Sequence, residues 1–187
     1  MKFKLAVVAS IVLLQGCSAA IVAGTAGAVT SATDRRTLGT QIDDNNLEIK
    51  ATLALKDDEQ LAKFSNIIVV SLNGRVLLIG QTPTTEMRAK AEAIVKPIRG
   101  VEKIHNQIRI GNITGVSTKT HDTWLTSKVK TMLVSEESVS ANDIKVITEN
   151  GEVFLMGLVT EQEANLAADV ARHVSGVEKV IKVFEYL

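Results

Sequence analysis

The sequence predicts an α+β fold in which one αββαβ module is used twice, and three observations predict it. The segment Asn73-Gly74-Arg75-Val76-Leu77-Leu78-Ile79-Gly80 returns 77 residues later as Asn150-Gly151-Glu152-Val153-Phe154-Leu155-Met156-Gly157. A second pair, Gly100-Val101-Glu102-Lys103-Ile104 and Gly176-Val177-Glu178-Lys179-Val180, keeps that spacing to within one residue. Around these anchors, β-rich runs flank each Asn-Gly and apolar residues then recur at helical spacing, marking strands followed by a helix.

Ahead of the modules, residues 1–16 read as a cleaved export signal: basic Lys2 and Lys4, an apolar run from Leu5 to Leu14, then Leu14-Gln15-Gly16-Cys17. That ending resembles a bacterial lipobox, whose Cys takes a diacylglycerol on its thiol and becomes the mature N-terminus. Cys17 is therefore the expected lipidation site. It is the sole cysteine, which excludes a disulfide framework or a Cys-rich metal site within one chain. Residues 17–40 are expected to form the lipidated Cys and a flexible tether, because 19–32 are mostly Ala, Gly, Thr and Ser. A segment of this length has a root-mean-square reach of roughly 25 Å. An uncleaved membrane anchor is the alternative, since no charge falls between Leu5 and Ala32. In lipoproteins of this kind an Asp after the Cys retains the protein in the inner membrane, so Ser18 implies by resemblance the outer membrane, facing the periplasm.

The first module is expected over residues 41–110, a linker over 111–116 and the second module over 117–187. Each opens with a helix, marked by Leu47, Ala51, Ala54 and Leu55 in one copy and by Leu125, Val129, Met132 and Leu133 in the other. Strands follow at 66–72 and 75–80, and at 143–149 and 152–157, each pair joined by Asn-Gly, the signal of a two-residue type I′ hairpin. Pro83 is placed at the first position of the next helix in the first copy, and Thr160 with Glu163 forms a capping box in the second. Ala91, Ile94, Val95 and Ile98, matched by Ala167, Val170, Ala171 and Val174, give that helix its buried stripe. Gly100 and Gly176 are expected to end it, with Pro97 distorting only its last turn. A third strand near 102–110 and 178–186 returns parallel through the helical crossover. The result is a three-stranded mixed sheet with two helices on one face. Because Ile68, Val70 and Leu72 alternate with Ile67 and Val69, both faces of that strand are apolar and the other module is a candidate cover for one. The acidic runs at 57–59 and 136–137 read as solvated loops.

With one Trp, one Tyr and four Phe, the cores are small and aliphatic. Loss of Lys2 and Lys4 leaves 19 basic against 21 acidic residues, which argues against nucleic acid as a partner. His105, His121 and His173 are scattered and unshared between copies, and read as surface residues with no metal or triad spacing. No enzyme, cofactor or metal site is expected.

The Gly-x-Val-x-Leu-x-Gly hairpin, the Ala-bearing helix and the Gly-Val before the last strand resemble the BON domain, in both repeats. Together with the lipobox, the chain is similar to the dual-BON outer-membrane lipoproteins. That resemblance implies recognition of anionic phospholipid, support of envelope integrity, and lipid contact on the first helix of the second BON domain, here Trp124, Ser127, Lys128, Thr131 and Val134. Where the family often has Val two residues after the second hairpin Gly, the second copy keeps Val159 and the first has Thr82, so inherited activity is assigned to the second module.

Independently of the family, Trp124 lies outside the buried stripe of its helix on a helical wheel, near Ser127, Lys128, Thr131 and Val134. An indole beside lysine suits a membrane interface. Packing of Trp124 against the linker or the other module is the competing reading. Residues 115–187 hold seven basic and eleven acidic residues, so only Lys119, Lys128 and Lys130 favour an anionic surface. The alternative function is a protein-binding adaptor for outer-membrane assembly or division-site proteins, without direct lipid recognition.

Overall fold

The computed structural model describes residues 35–187. The signal segment, Cys17 and the tether up to residue 34 lie outside the described residues. Among the described residues no helix is long and apolar enough to cross a membrane. Arg35 to Leu187 forms one compact unit built from two α+β modules. The first runs α1 (Leu38–Asp57), α2 (Glu59–Phe64), β1 (Asn66–Leu72), β2 (Arg75–Thr82), α3 (Thr85–Val95), β3 (Lys103–Asn106) and β4 (Arg109–Ile110). The second runs α4 (Val116–Ser135), a 3-10 turn (Ala141–Asp143), β5 (Ile144–Glu149), β6 (Glu152–Val159), α5 (Glu161–Arg172), β7 (Lys179–Lys182) and β8 (Glu185–Tyr186).

Each hairpin closes antiparallel, with Leu72 opposite Arg75 and Glu149 opposite Glu152. Asn73 and Gly74 have φ of 51° and 71°, and Asn150 and Gly151 have 51° and 74°, the two left-handed positions of a type I′ turn. At the far end of the hairpin, a Cβ on Gly80 would collide with the Asn66 carbonyl, and one on Gly157 with that of Asp143. The second repeated glycine is thus required by close backbone approach. The central strand of each sheet then pairs in parallel with the last one: β2 with β3 and β4, β6 with β7 and β8.

Each sheet buries one face under its own helices. In the first module Leu47, Ala51 and Leu55 of α1 and Ala91 and Val95 of α3 cover Val69, Val76 and Leu78. In the second, Leu125, Val129 and Leu133 of α4 and Ala164, Ala167 and Ala171 of α5 cover Val146, Val153 and Leu155. The opposite sheet faces meet each other. Val70, Leu72, Leu77 and Ile79 pack against Phe154, Met156 and Val183, so the two-faced apolar pattern of β1 is explained by the second module. The layers are helix, sheet, sheet, helix. Each fully buried side chain of this seam contributes roughly 1.5–3 kcal/mol relative to exposure, stability that modules of this size need.

The seam has an approximate twofold symmetry that its charges break. Arg109 holds Glu152 in a two-pronged pair, with contacts of 3.0 and 2.7 Å. At the position related by the repeat, Arg75 meets Glu185 at 3.5 Å. The first module supplies both arginines and the second both glutamates.

Several boundaries differ from expectation, for local reasons. α1 begins at Leu38, inside the stretch expected as tether, because the Thr37 hydroxyl accepts the Thr40 N–H at 3.1 Å and caps it. Just before it, Arg35 reaches the second module. Its Nε lies 3.1 Å from Asp143 and its Nη atoms donate to Glu163 at 2.9 and 2.7 Å. The Arg35 guanidinium holds the Glu163 carboxyl far below the usual carboxylate range. Pro83 precedes the N-cap, which is Thr84, instead of occupying the first helical position. α3 ends at Val95, with Lys96 still helical in φ and ψ as its C-cap, and so stops short of Pro97, which has no N–H to continue the ladder. Gly100 and Gly176 take φ of 100° and 103° in the turn after the helix. The third strand is split, because Ile108 and the Val183-Phe184 pair turn inward and are buried. The first acidic run is no loop: Asp58 caps α2, its carboxylate accepting the Leu61 N–H at 3.0 Å. His105, expected at the surface, is half-buried, and its Nε2 is buried without a hydrogen-bond partner. Burial, with Lys103 and Arg75 nearby, pushes its imidazole below the ordinary value.

Candidate functional site

α4 is held at its N-terminal half by a residue that helical periodicity alone marks as misplaced. Asp122 sits on the buried side, one turn before Leu125. Its carboxylate accepts the backbone N–H groups of Asn150 at 2.7 Å and Gly151 at 2.9 Å, tying the helix to the hairpin tip. The first module repeats the device: Asp44 accepts from the backbone of Asn73 and Gly74 and from the Ser71 hydroxyl. The signal was present in the sequence as an acid shared between copies at the same offset as the apolar stripes.

With that side fixed, the rest of α4 is presented outward. Trp124 is 53% exposed and Val134 70%, while Ser127 and Thr131 are exposed and Lys128 half-buried. The structure brings all five expected residues to one face of the helix. The aromatic and cation contacts of the Trp124 ring lie within α4. Its neighbours are its own: the His121 ring at 5.6 Å and the Lys128 ammonium 4.9 Å from the indole centroid. Lys128 also donates to the Ser175 carbonyl at 3.2 Å, which ties it to the turn after α5. Met132, expected in the buried stripe, is 46% exposed and widens the apolar flank.

Two properties of this face are chemical rather than steric. Asp122 is the only acidic residue of α4 and is buried, so the exposed face carries lysines 119, 128 and 130 and no carboxylate. The hydroxyls are also internally satisfied. Thr120, Thr123, Ser127 and Thr131 donate to the carbonyls of Val116, Lys119, Thr123 and Ser127 at 2.9–3.1 Å. A hydroxyl that already donates within the helix costs less to move out of water than one left unpaired.

The equivalent place in the first module is different. Asp43 and Asn46 stand where the second module has His121 and Trp124, and a cleft of about 730 Å³ lies between them, Lys50, Arg99, Gly100 and Glu102. In the second module His121 approaches the matching Gly176, its Nε2 within 3.6 Å of where a Cβ would lie. Elsewhere, no cluster of His, Cys, Asp or Glu among the described residues could hold a metal ion.

A model of the BON domain matches residues 43–112 and 121–187. The chain is 47% identical over 176 residues to the outer membrane lipoprotein DolP of Haemophilus influenzae, a match that covers 94% of this chain and 91% of that protein. It is 46% identical over 154 residues to a 21 kDa hemolysin of Actinobacillus pleuropneumoniae, covering 82% and 79%. Osmotically-inducible protein Y of Escherichia coli is more distant, at 28% over 146 residues, covering 76% and 72%.

Proposed function

Because the chain belongs to the BON-domain family, as an outer-membrane lipoprotein with no enzymatic activity, we propose that it binds anionic phospholipid through α4 of its second module. In this reading Cys17 carries the lipid anchor, the modules face the periplasm, and binding supports outer-membrane integrity. The observation that carries it is the exposed face of α4, where an indole lies beside Lys128, the hydroxyls are self-satisfied and the helix contributes no exposed carboxylate. Trp124 enters the boundary between headgroups and acyl chains, as interfacial aromatics do. Ser127, Thr131 and Val134 lie along the same surface, and Lys128 meets the phosphates.

The lysines supply attraction of about 1 kcal/mol each near an anionic surface. The acidic excess of the second module opposes it at longer range, so binding is short-ranged and weak in free solution. Anchoring offsets that weakness, because a tethered site meets its membrane at an effective concentration on the order of millimolar.

Trp124 is the only tryptophan, so its fluorescence reports the site directly. Adding phosphatidylglycerol vesicles to residues 35–187 should shift the emission to the blue, with little change for phosphatidylcholine vesicles. Trp124→Glu should abolish vesicle co-sedimentation while leaving the circular dichroism unchanged. An unshifted spectrum with anionic vesicles would instead favour the adaptor, in which the same face docks assembly or division proteins.

A further inference from the structure

α1 carries a second apolar surface, on the side opposite the one it buries. Leu47, Ala51 and Leu55 face the sheet, whereas Leu38, Ile42, Ile49 and Leu53 are 55%, 60%, 58% and 56% exposed. At about 100° per residue these four project within roughly 60° of one another, forming a continuous ridge along the helix. Contiguous exposed aliphatic surface of this kind marks a contact site.

The ridge reads the same from either end: Leu, Ile, two Asn, Ile, Leu, centred between Asn45 and Asn46. We propose that it is a contact between two copies of the chain, made by antiparallel pairing of α1 about a twofold axis through Asn45 and Asn46. A twofold contact must be self-complementary, each residue i meeting j while j meets i. Here Leu38 meets Leu53 of the second copy, Ile42 meets Ile49, and the two asparagine pairs meet at the axis. Buried asparagines can hydrogen-bond to each other there, and a slip of one turn would set them against Leu or Ile, so they define the register. The flanking charges agree. Asp43 and Lys50, exposed on one side of the ridge, come to nearly the same level in the antiparallel arrangement and form two crossed pairs.

The area sets the strength. Large apolar patches on monomers span about 300–600 Å², so two such ridges bury less than, or barely reach, the ~1,200 Å² at the lower edge of stable interfaces. The dimer is therefore weak in free solution and is favoured where anchoring raises the local concentration. It does not depend on lipid binding by α4, which lies in the opposite outer layer of the molecule.

Residues 35–187 hold every element of both cores and lack Cys17, so introduced thiols report without interference. Ile42→Cys and Ile49→Cys should each cross-link poorly alone and at least about fivefold better when mixed, because only the antiparallel register sets 42 against 49. Sedimentation equilibrium should show mass rising with concentration, and Ile49→Lys, at an exposed site that does not threaten folding, should weaken association about tenfold by placing charge in the contact. Trp124→Glu should leave association unchanged. Efficient cross-linking of Ile42→Cys to itself, or a monomer at all concentrations together with no mixed cross-link, would overturn the proposal. So would loss of vesicle binding in the Ile49→Lys variant when the unsubstituted protein shows no self-association, since the ridge would then serve lipid.

Discussion

A few polar atoms decide how each first helix is aimed. Asp122 is buried, yet its two oxygens match two hairpin N–H groups that would otherwise face an apolar layer. Ionised acceptors of backbone N–H bonds are among the stronger hydrogen bonds, and leaving the donors unpaired adds their desolvation cost. Asp122→Ala is expected to lower the unfolding free energy by about 2–4 kcal/mol, measured by urea denaturation. Asp122→Asn, which keeps one acceptor, should cost less than the alanine variant. If both changes are neutral, the aspartate does not pin the helix. The same residue serves the candidate site indirectly, because burying the helix's only carboxylate leaves the outer face free of negative charge.

At the scale of elements, the two first helices share a plan and differ in what they expose. Both bury aliphatic residues at the same offsets, Leu47, Ala51 and Leu55 in α1 and Leu125, Val129 and Leu133 in α4, and both also expose apolar side chains, so neither reads as a simple amphipathic helix. α1 exposes aliphatic residues around a pair of asparagines, and α4 exposes an indole, valines and lysines. The second helices diverge at their N-termini. Thr160 and Glu163 cap α5 reciprocally, and Glu163 also receives Arg35, so one carboxylate joins the chain's entry point to the second module. Thr160→Ala should therefore cost about 1 kcal/mol, read as a lower thermal midpoint. Hydrogen exchange in such a variant should accelerate first in residues 161–164, and uniform acceleration across the module would contradict a local capping role.

For the whole molecule, the seam between sheets explains why two copies occur in one chain. Each module leaves an apolar sheet face that the sheet of the other module covers. The charge allocation then favours that pairing. Two first modules would set arginine against arginine, and two second modules glutamate against glutamate, whereas the mixed pair matches twice. Exposed pairs add little stability individually, but like charges in their place are costly. Arg75→Glu with Arg109→Glu should destabilise the chain by roughly 2 kcal/mol or more, and adding Glu152→Arg with Glu185→Arg should restore most of it. Failure of the fourfold variant to recover in thermal denaturation would refute the charge code.

Much of this organisation was legible before any coordinates. The repeat spacing, the Asn-Gly turns, the capping box and the apolar periods are local patterns, and local backbone preferences act on the same few residues wherever they occur, so αββαβ twice and an outward Trp124 could be read directly. The ends of the helix near Pro83 and Pro97 differ by a residue or two, because the Thr84 hydroxyl, accepting the Met87 N–H, sets the start one residue after Pro83, and the last helical residue, Val95, falls two before Pro97. What needed the folded chain were contacts between residues far apart in sequence: Asp122 on the hairpin, Arg35 on Glu163, and Arg75 and Arg109 on their glutamates. Burial and pairing at such distances depend on which surfaces meet, and that is decided by packing two sheets together rather than by any one segment.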